Sequence, residues 1–221
     1  MDNSKYSKVL CQQENKETDL TNEYCQKLKK LFPEFLCSDV EKVLAIMPLA
    51  EPIYGDPYEQ RYKVKNGIHG KLTDIQLTTG EVICLISRIY FAEPSVELEN
   101  ELTETQKQIL NCIYSRHHNG YIREKRLKYL FGFDHEWVIF FKLQLLGEYV
   151  IEILFELDKH ITDSSINQYK QLIFNNIKYW DQTKSRVASY WNEYYRYPNY
   201  KKIEDYIGYK IMKRINEAHD Q

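Results

Sequence analysis

Apolar positions recur at spacings of three and four along most of the chain, the period of a helix with one buried face. Residues 61–91 depart from it. There Leu72, Ile75 and Leu77 lead into Thr78-Thr79-Gly80-Glu81, and the β-branched and aromatic run Val82 to Phe91 follows. A turn signal between two such runs predicts a β-hairpin at about 71–91, which needs helices to pack against. Ahead of it, helices are expected from Thr21 to Phe32, ending near Pro33, and from Ser38 to just before Pro48. Ser38-Asp39-Val40-Glu41 has capping-box spacing for the second of these. Residues 48–60, with three prolines and Gly55, read as a loop, and residues 1–18 lack periodicity and are expected to be mobile.

Beyond Pro94 the pattern is helical. Thr103-x-x-Gln106 is a capping box opening a helix that buries Ile109, Leu110, Ile113 and Tyr114, and Asn119-Gly120 breaks it. Tyr121 to Phe131 is a short helix with Ile122, Leu127, Leu130 and Phe131 inside. Asp134 is placed to cap a long helix from His135 to about Lys159, apolar on most of its circumference. Its polar stripe, Gln144, Glu148, Glu152 and Glu156, reads as the wet edge of a central helix. Ile166, Tyr169, Ile173, Ile177, Trp180, Val187, Trp191 and Tyr194 fit either two helices or one from about Ser164 to Arg196, which Pro198 ends. The last helix, Tyr200 to Ala218, buries Ile203, Ile207, Ile211 and Ile215. The expected fold is a predominantly helical α+β protein. Residues 19–100 hold N-terminal helices and one hairpin, packed on an all-helical region 101–221 that forms a bundle or a short repeat array. Neither part is comfortably large alone, so both can share a core.

Composition narrows the function. Hydrophobic residues at 43% exclude a disordered chain, and 30 Lys+Arg against 32 Asp+Glu excludes a polycation seeking nucleic acid. Only 8 glycines leave few positions for phosphate-cradling loops, which disfavours nucleotide-binding folds. No G-x-S-x-G, H-E-x-x-H or Walker motif is present, which shifts the odds away from an enzyme. The five cysteines are odd in number and form no C-x-x-C pair. Together with a polar segment Met1 to Leu20, this points to reduced thiols in a cytoplasmic protein without signal peptide or membrane anchor. The longest apolar stretch, Trp137 to Leu157, is interrupted by Lys142, Glu148, Glu152 and Glu156, and suits a core rather than a bilayer.

Gly120-Tyr121-Ile122-Arg123-Glu124-Lys125-Arg126-Leu127, followed by a Trp-led apolar helix and Gly147-Glu148-Tyr149-Val150-Ile151-Glu152-Ile153, resembles a HEAT-like helical repeat pair. The resemblance covers Gly120 to Leu157. No second copy recurs at a fixed period, and the small Ala positions of such repeats are mostly missing. What the resemblance implies is partner binding on a concave surface rather than chemistry.

Two surfaces are candidates for that contact. The polar run from Ser115 to Lys128 offers Arg116, His118, Arg123 and Arg126 at a helix end, a turn and the next helix start, where they can meet carboxylates or phosphates. Arg123 can instead pair with a glutamate of the next helix. The run Tyr190 to Tyr200 holds more rings than a core face takes: Tyr190, Trp191 and Tyr194 can face inward, leaving Tyr195, Tyr197 and Tyr200 outside, as protein interfaces enrich. Charge reversal at Arg123 and Arg126 is expected to weaken partner capture without unfolding. The reading is a non-catalytic protein-binding or scaffold module without cofactor or metal. It has a protein partner and no membrane contact, nucleic acid is disfavoured, and a homo-oligomer is compatible. One alternative is a metal-dependent enzyme using Glu152, Glu156 and His160 along one helix face. The other is a winged-helix-like nucleic-acid binder, against which the apolar third helix, Trp137 to Phe141, argues.

Overall fold

Pro33 marks the first stop: residues 19–29 form helix α1, and a 3-10 turn Glu34–Leu36 runs directly into α2, Cys37–Ile46. The computed structural model describes residues 19–50, 67–70, 72–197 and 199–218. The expectations for residues 1–18, for most of the 48–60 loop and the first strand residues to 66, and for Pro198 lie outside the described residues. The capping box expected at Ser38 does not form. Leu36 stands at the N-cap because the 3-10 turn already leads the backbone into the helix, and the Glu41 carboxylate accepts from Lys29 at 2.7 Å instead.

Among the described residues four short strands follow: β1 Ile68–His69, β2 Thr73–Gln76, β3 Val82–Leu85 and β4 Arg88–Ile89. The expected hairpin is β2–β3, antiparallel, with Thr73 opposite Leu85 and Gln76 opposite Val82. Gly80 closes its turn at φ 88°, where a side chain would be strained. A second antiparallel pair, β1–β4, forms a separate two-stranded sheet. Ile89 of β4 then bonds to the chain beyond the next long helix: its N–H donates to the Arg116 carbonyl, and its own carbonyl accepts from His118.

The remainder is helical: α3 Val96–Asn100, α4 Glu104–Tyr114, α5 Gly120–Lys128, α6 Glu136–Leu145, α7 Ile151–His160, α8 Ile166–Asn175, α9 Ile177–Tyr190 and α10 Ile207–Glu217. A π turn, Trp191–Tyr195, prolongs α9, and a 3-10 turn, Ile203–Asp205, precedes α10. The Thr103–Gln106 capping box is fully formed, and the Gln106 side chain reaches on to Asp39 of α2 at 2.7 Å. Thr103→Ala is expected to cost about 1 kcal/mol, read as a fall of about 2–4 °C in thermal midpoint.

Three expectations are corrected. The long helix from His135 to Lys159 is broken at residues 146–150 into α6 and α7, because Glu148 turns inward to an ionic partner set. Asp134 does not cap α6: its carboxylate accepts from the buried Lys142 ammonium at 2.9 Å, a stronger demand than an orphan amide. Phe131 lies outside rather than in the core, its ring edge-on to His160. The span 164–196 resolves as two helices parted at Asn176, whose side chain bonds both ways with the Gln76 backbone of β2.

One continuous apolar core takes side chains from α1, α2, the hairpin and the C-terminal helices. Helix α6 is its axis, with every residue from Trp137 to Leu145 buried. Phe32 packs on Trp137 and Phe141 with ring centroids 5.7 and 5.4 Å away, joining the N-terminal part to that axis. The fold is therefore a predominantly helical α+β one. Among the described residues no helix is long and apolar enough to cross a membrane.

Candidate functional site

The break between α6 and α7 places adjacent residues in opposite environments. Glu148 points into the protein and Tyr149 out of it. The Glu148 carboxylate receives three guanidiniums: Arg88 at 2.6 Å, Arg116 at 3.3 Å and Arg123 at 3.4 Å. Each arginine is also tied to backbone. Arg88 and Arg116 donate to the Ser87 carbonyl, and Arg123 donates to the carbonyls of His117 and His118 at 2.8 and 2.7 Å. Burial alone would raise the Glu148 carboxyl; the three cations, Arg116 foremost, outweigh it and hold the group below its ordinary range. The hub still carries three positive charges against one negative. Arg116 Nε and Nη1 and Arg123 Nε and Nη2 have no hydrogen-bond acceptor.

This overturns the placement expected for the basic cluster. Arg116 and Arg123 are 3% and 0% exposed and stand in the interior rather than on a surface. Arg123 does pair with a glutamate, one in the loop before α7. Arg126, also buried, makes a second knot: it grips Glu93 at 2.7 Å and Glu99 at 2.8 and 2.5 Å, bonds Asn111 at 3.1 Å, and lies over the Tyr114 ring. Together these contacts tie α5 to α3 and α4 at the bottom of a groove of about 540 Å³. His118 is half-buried, stacked on Tyr90 at 4.9 Å, beside His117 at 4.4 Å. Charge suggested surface for these residues. The signal against it was the shortage of apolar positions in α5, which leaves arginine stems to fill its inner face.

Tyrosines form the outer layer. Tyr149, Tyr190 and Tyr194 stand with ring centroids 5.9–6.0 Å apart, and the array continues through Tyr195 to Tyr206 and Tyr200. Of the expected contact residues, Tyr197 is 70% exposed, whereas Tyr195 and Tyr200 are half-buried. The Tyr195 hydroxyl donates to the Tyr149 carbonyl, and its ring stacks on buried Tyr206 at 5.4 Å. Tyr194, expected inside, is 55% exposed. The π turn is the reason: Arg196 N–H bonds back five residues to Trp191, which adds a residue to the turn and shifts the face that follows. Arg196 lies 5.5 Å from the rings of both Trp191 and Tyr197. Sequence reasoning missed Tyr149, which joins this array from a position 41 residues before Tyr190.

Between the first turns of α5 and α7 lies a cleft of about 320 Å³, walled by Tyr121 and Glu124 on one side and Tyr149, Val150 and Glu152 on the other. The alternative metal set does not assemble. Glu152 is exposed, while Glu156 and His160 face inward 3.7 Å apart and Lys159 holds Glu156. No group of three His, Cys, Asp or Glu that could hold a metal lies together among the described residues. Nor does α6 present polar side chains to a groove, as DNA reading by a third helix would require. Comparison of the chain with protein-family models, with curated proteins and with solved structures returns no match.

Proposed function

We propose that this protein is a non-catalytic protein-binding module whose contact surface is the tyrosine array of the α6–α7 loop and the end of α9. The observation that carries the reading is the exposure of Tyr149, Tyr194 and Tyr197 beside inner rings, Tyr195, Tyr200 and Tyr206, that pack on one another, with the Tyr195 hydroxyl bonded to the Tyr149 carbonyl. Rings already held in place lose little side-chain entropy on binding, which is why rigid aromatic anchors dominate interfaces. The HEAT-like resemblance, with its implication of partner binding, agrees in direction.

Photo-crosslinking tests it. A benzoylphenylalanine at position 194 or 197, in the full chain in its native cells, is expected to give a discrete protein adduct. The same group at Phe174, exposed on α8, is expected to give none. Equal labelling at all three positions, or none at any, would overturn the reading.

A further inference from the structure

The cleft beside the array carries information about the partner. Its volume, about 320 Å³, is at the small end of ligand pockets, room for one long side chain or a small organic ion rather than a cofactor. Two aromatic rings flank it: Tyr121 at 84% exposed, and Tyr149, itself part of the array. Two carboxylates, Glu124 and Glu152, also line it, and no Lys or Arg is among the described residues that do. Glu124 is shared with Lys128 on the outer side at 2.6 Å, whereas Glu152 has no ion-pair partner among the described residues. The N-terminus of α5 supplies positive character on its own side of the cleft. Asn119 caps α5 by accepting from the Tyr121 N–H, and Arg123 Nη2 lies behind Gly120, already facing Glu148. A cation is therefore favoured beside the two carboxylates and the tyrosines, away from Arg123.

The geometry points to a recognition cleft for a basic side chain, a lysine or arginine presented by the protein partner and seated between Tyr121 and Tyr149 with its charge on Glu152 and Glu124. Ring faces attract cations, and carboxylates in the same cleft add charge complementarity and select against acidic or neutral residues. The inference rests on the protein-binding reading and deepens it by naming the chemistry the partner must offer next to the tyrosine array.

The test uses the full chain labelled with ¹⁵N and three small probes: Nα-acetyl-lysine N-methylamide, the arginine analogue, and the apolar norleucine analogue of the same length. The basic probes are expected to shift the amides of Gly120, Tyr121 and Glu152 in a saturable, weak titration. Glu152→Gln and Tyr121→Ala are each expected to weaken it about 2–5-fold, the range of one exposed ion pair or one cation–π contact. Both side chains are exposed, so the variants keep the fold, checked by unchanged spectra elsewhere. Equal titration by the norleucine probe would show an apolar slot and overturn the inference, as would no shift from any probe at 100 mM, roughly the limit of such contacts taken singly. Either result leaves the crosslinking at positions 194 and 197 standing, so the two readings fail separately.

Discussion

Glu148→Ala is expected to destabilise the protein by about 3–5 kcal/mol, a fall of about 6–20 °C in thermal midpoint for a chain of this size. The loss comes less from the contacts removed than from what stays behind. Arg116 and Arg123 would remain buried with no carboxylate to answer them, since Arg88 alone is far enough out to swing into water. Urea unfolding followed by circular dichroism measures it, with an unchanged slope as the check that the transition stays two-state. Replacing the knot is expected to cost less than breaking it: Arg116→Met with Glu148→Leu should destabilise less than the sum of the two single changes. Additive losses would mean that the two groups are not coupled. The same burial changes the outcome of charge reversal at Arg123 or Arg126. Either reversal is expected to cost the fold itself, so loss of partner capture would follow from unfolding.

Acid should weaken the fold in two stages. The first belongs to buried histidines. His117 accepts from the Asn119 N–H at Nδ1 while its Nε2 lies 3.1 Å from the Phe91 carbonyl, which can only accept, so the ring is neutral with its proton on Nε2. Burial first, then the adjacent His118, lowers its pKa to about 4. His160 has no hydrogen bond at either ring nitrogen. Burial, with Lys142 nearby and Glu156 opposing, brings it to about 4 as well. In the unfolded chain both rings take a proton near pH 6.5, and in the folded chain near pH 4, so protons favour the unfolded state between those values. Stability is then full above about pH 6.5 and falls as pH drops toward 4, by up to about 3 kcal/mol for each ring. Below that, Glu148 and Glu93, whose pKa values are held down by arginine and lysine neighbours, lose their contribution on protonation. Urea midpoints from pH 7.5 to 4 give the first slope, and His160→Leu should remove its share. A flat profile from 6.5 to 4.5 would contradict the neutral, enclosed rings.

Much of this architecture is legible where local chemistry and burial agree. The Thr103–Gln106 box, the Thr78–Glu81 turn and the inward isoleucines Ile211 and Ile215 all stand as their spacing implies. Legibility ends where another side chain wins the competition for a capping or surface group. Glu41 leaves the α2 cap for Lys29, Asp134 leaves the α6 cap for the Lys142 side chain, and Glu148 leaves a helical stripe for three arginines. Lys142 stands only eight residues on, within α6 itself, but the arginines that take Glu148 come from other elements, and the i, i+4 spacing of Gln144, Glu148, Glu152 and Glu156 argues for an unbroken helix; Gly147, set against the Arg186 stem, is a local hint of a break. The outer site was half readable. Tyr197 is exposed as composition suggested, but a π turn moved Tyr194 outward, and Tyr149 arrived from another segment.

Because Glu148 and Tyr149 are consecutive, the ionic knot also sets the height and tilt of an outward ring. A screen that scores only lost association would therefore return Arg88, Arg116 and Arg123 as apparent hot spots through the ring they hold. Soluble yield, measured alongside, separates them from Tyr194 and Tyr197: interior changes would lower both readings, and surface changes only one.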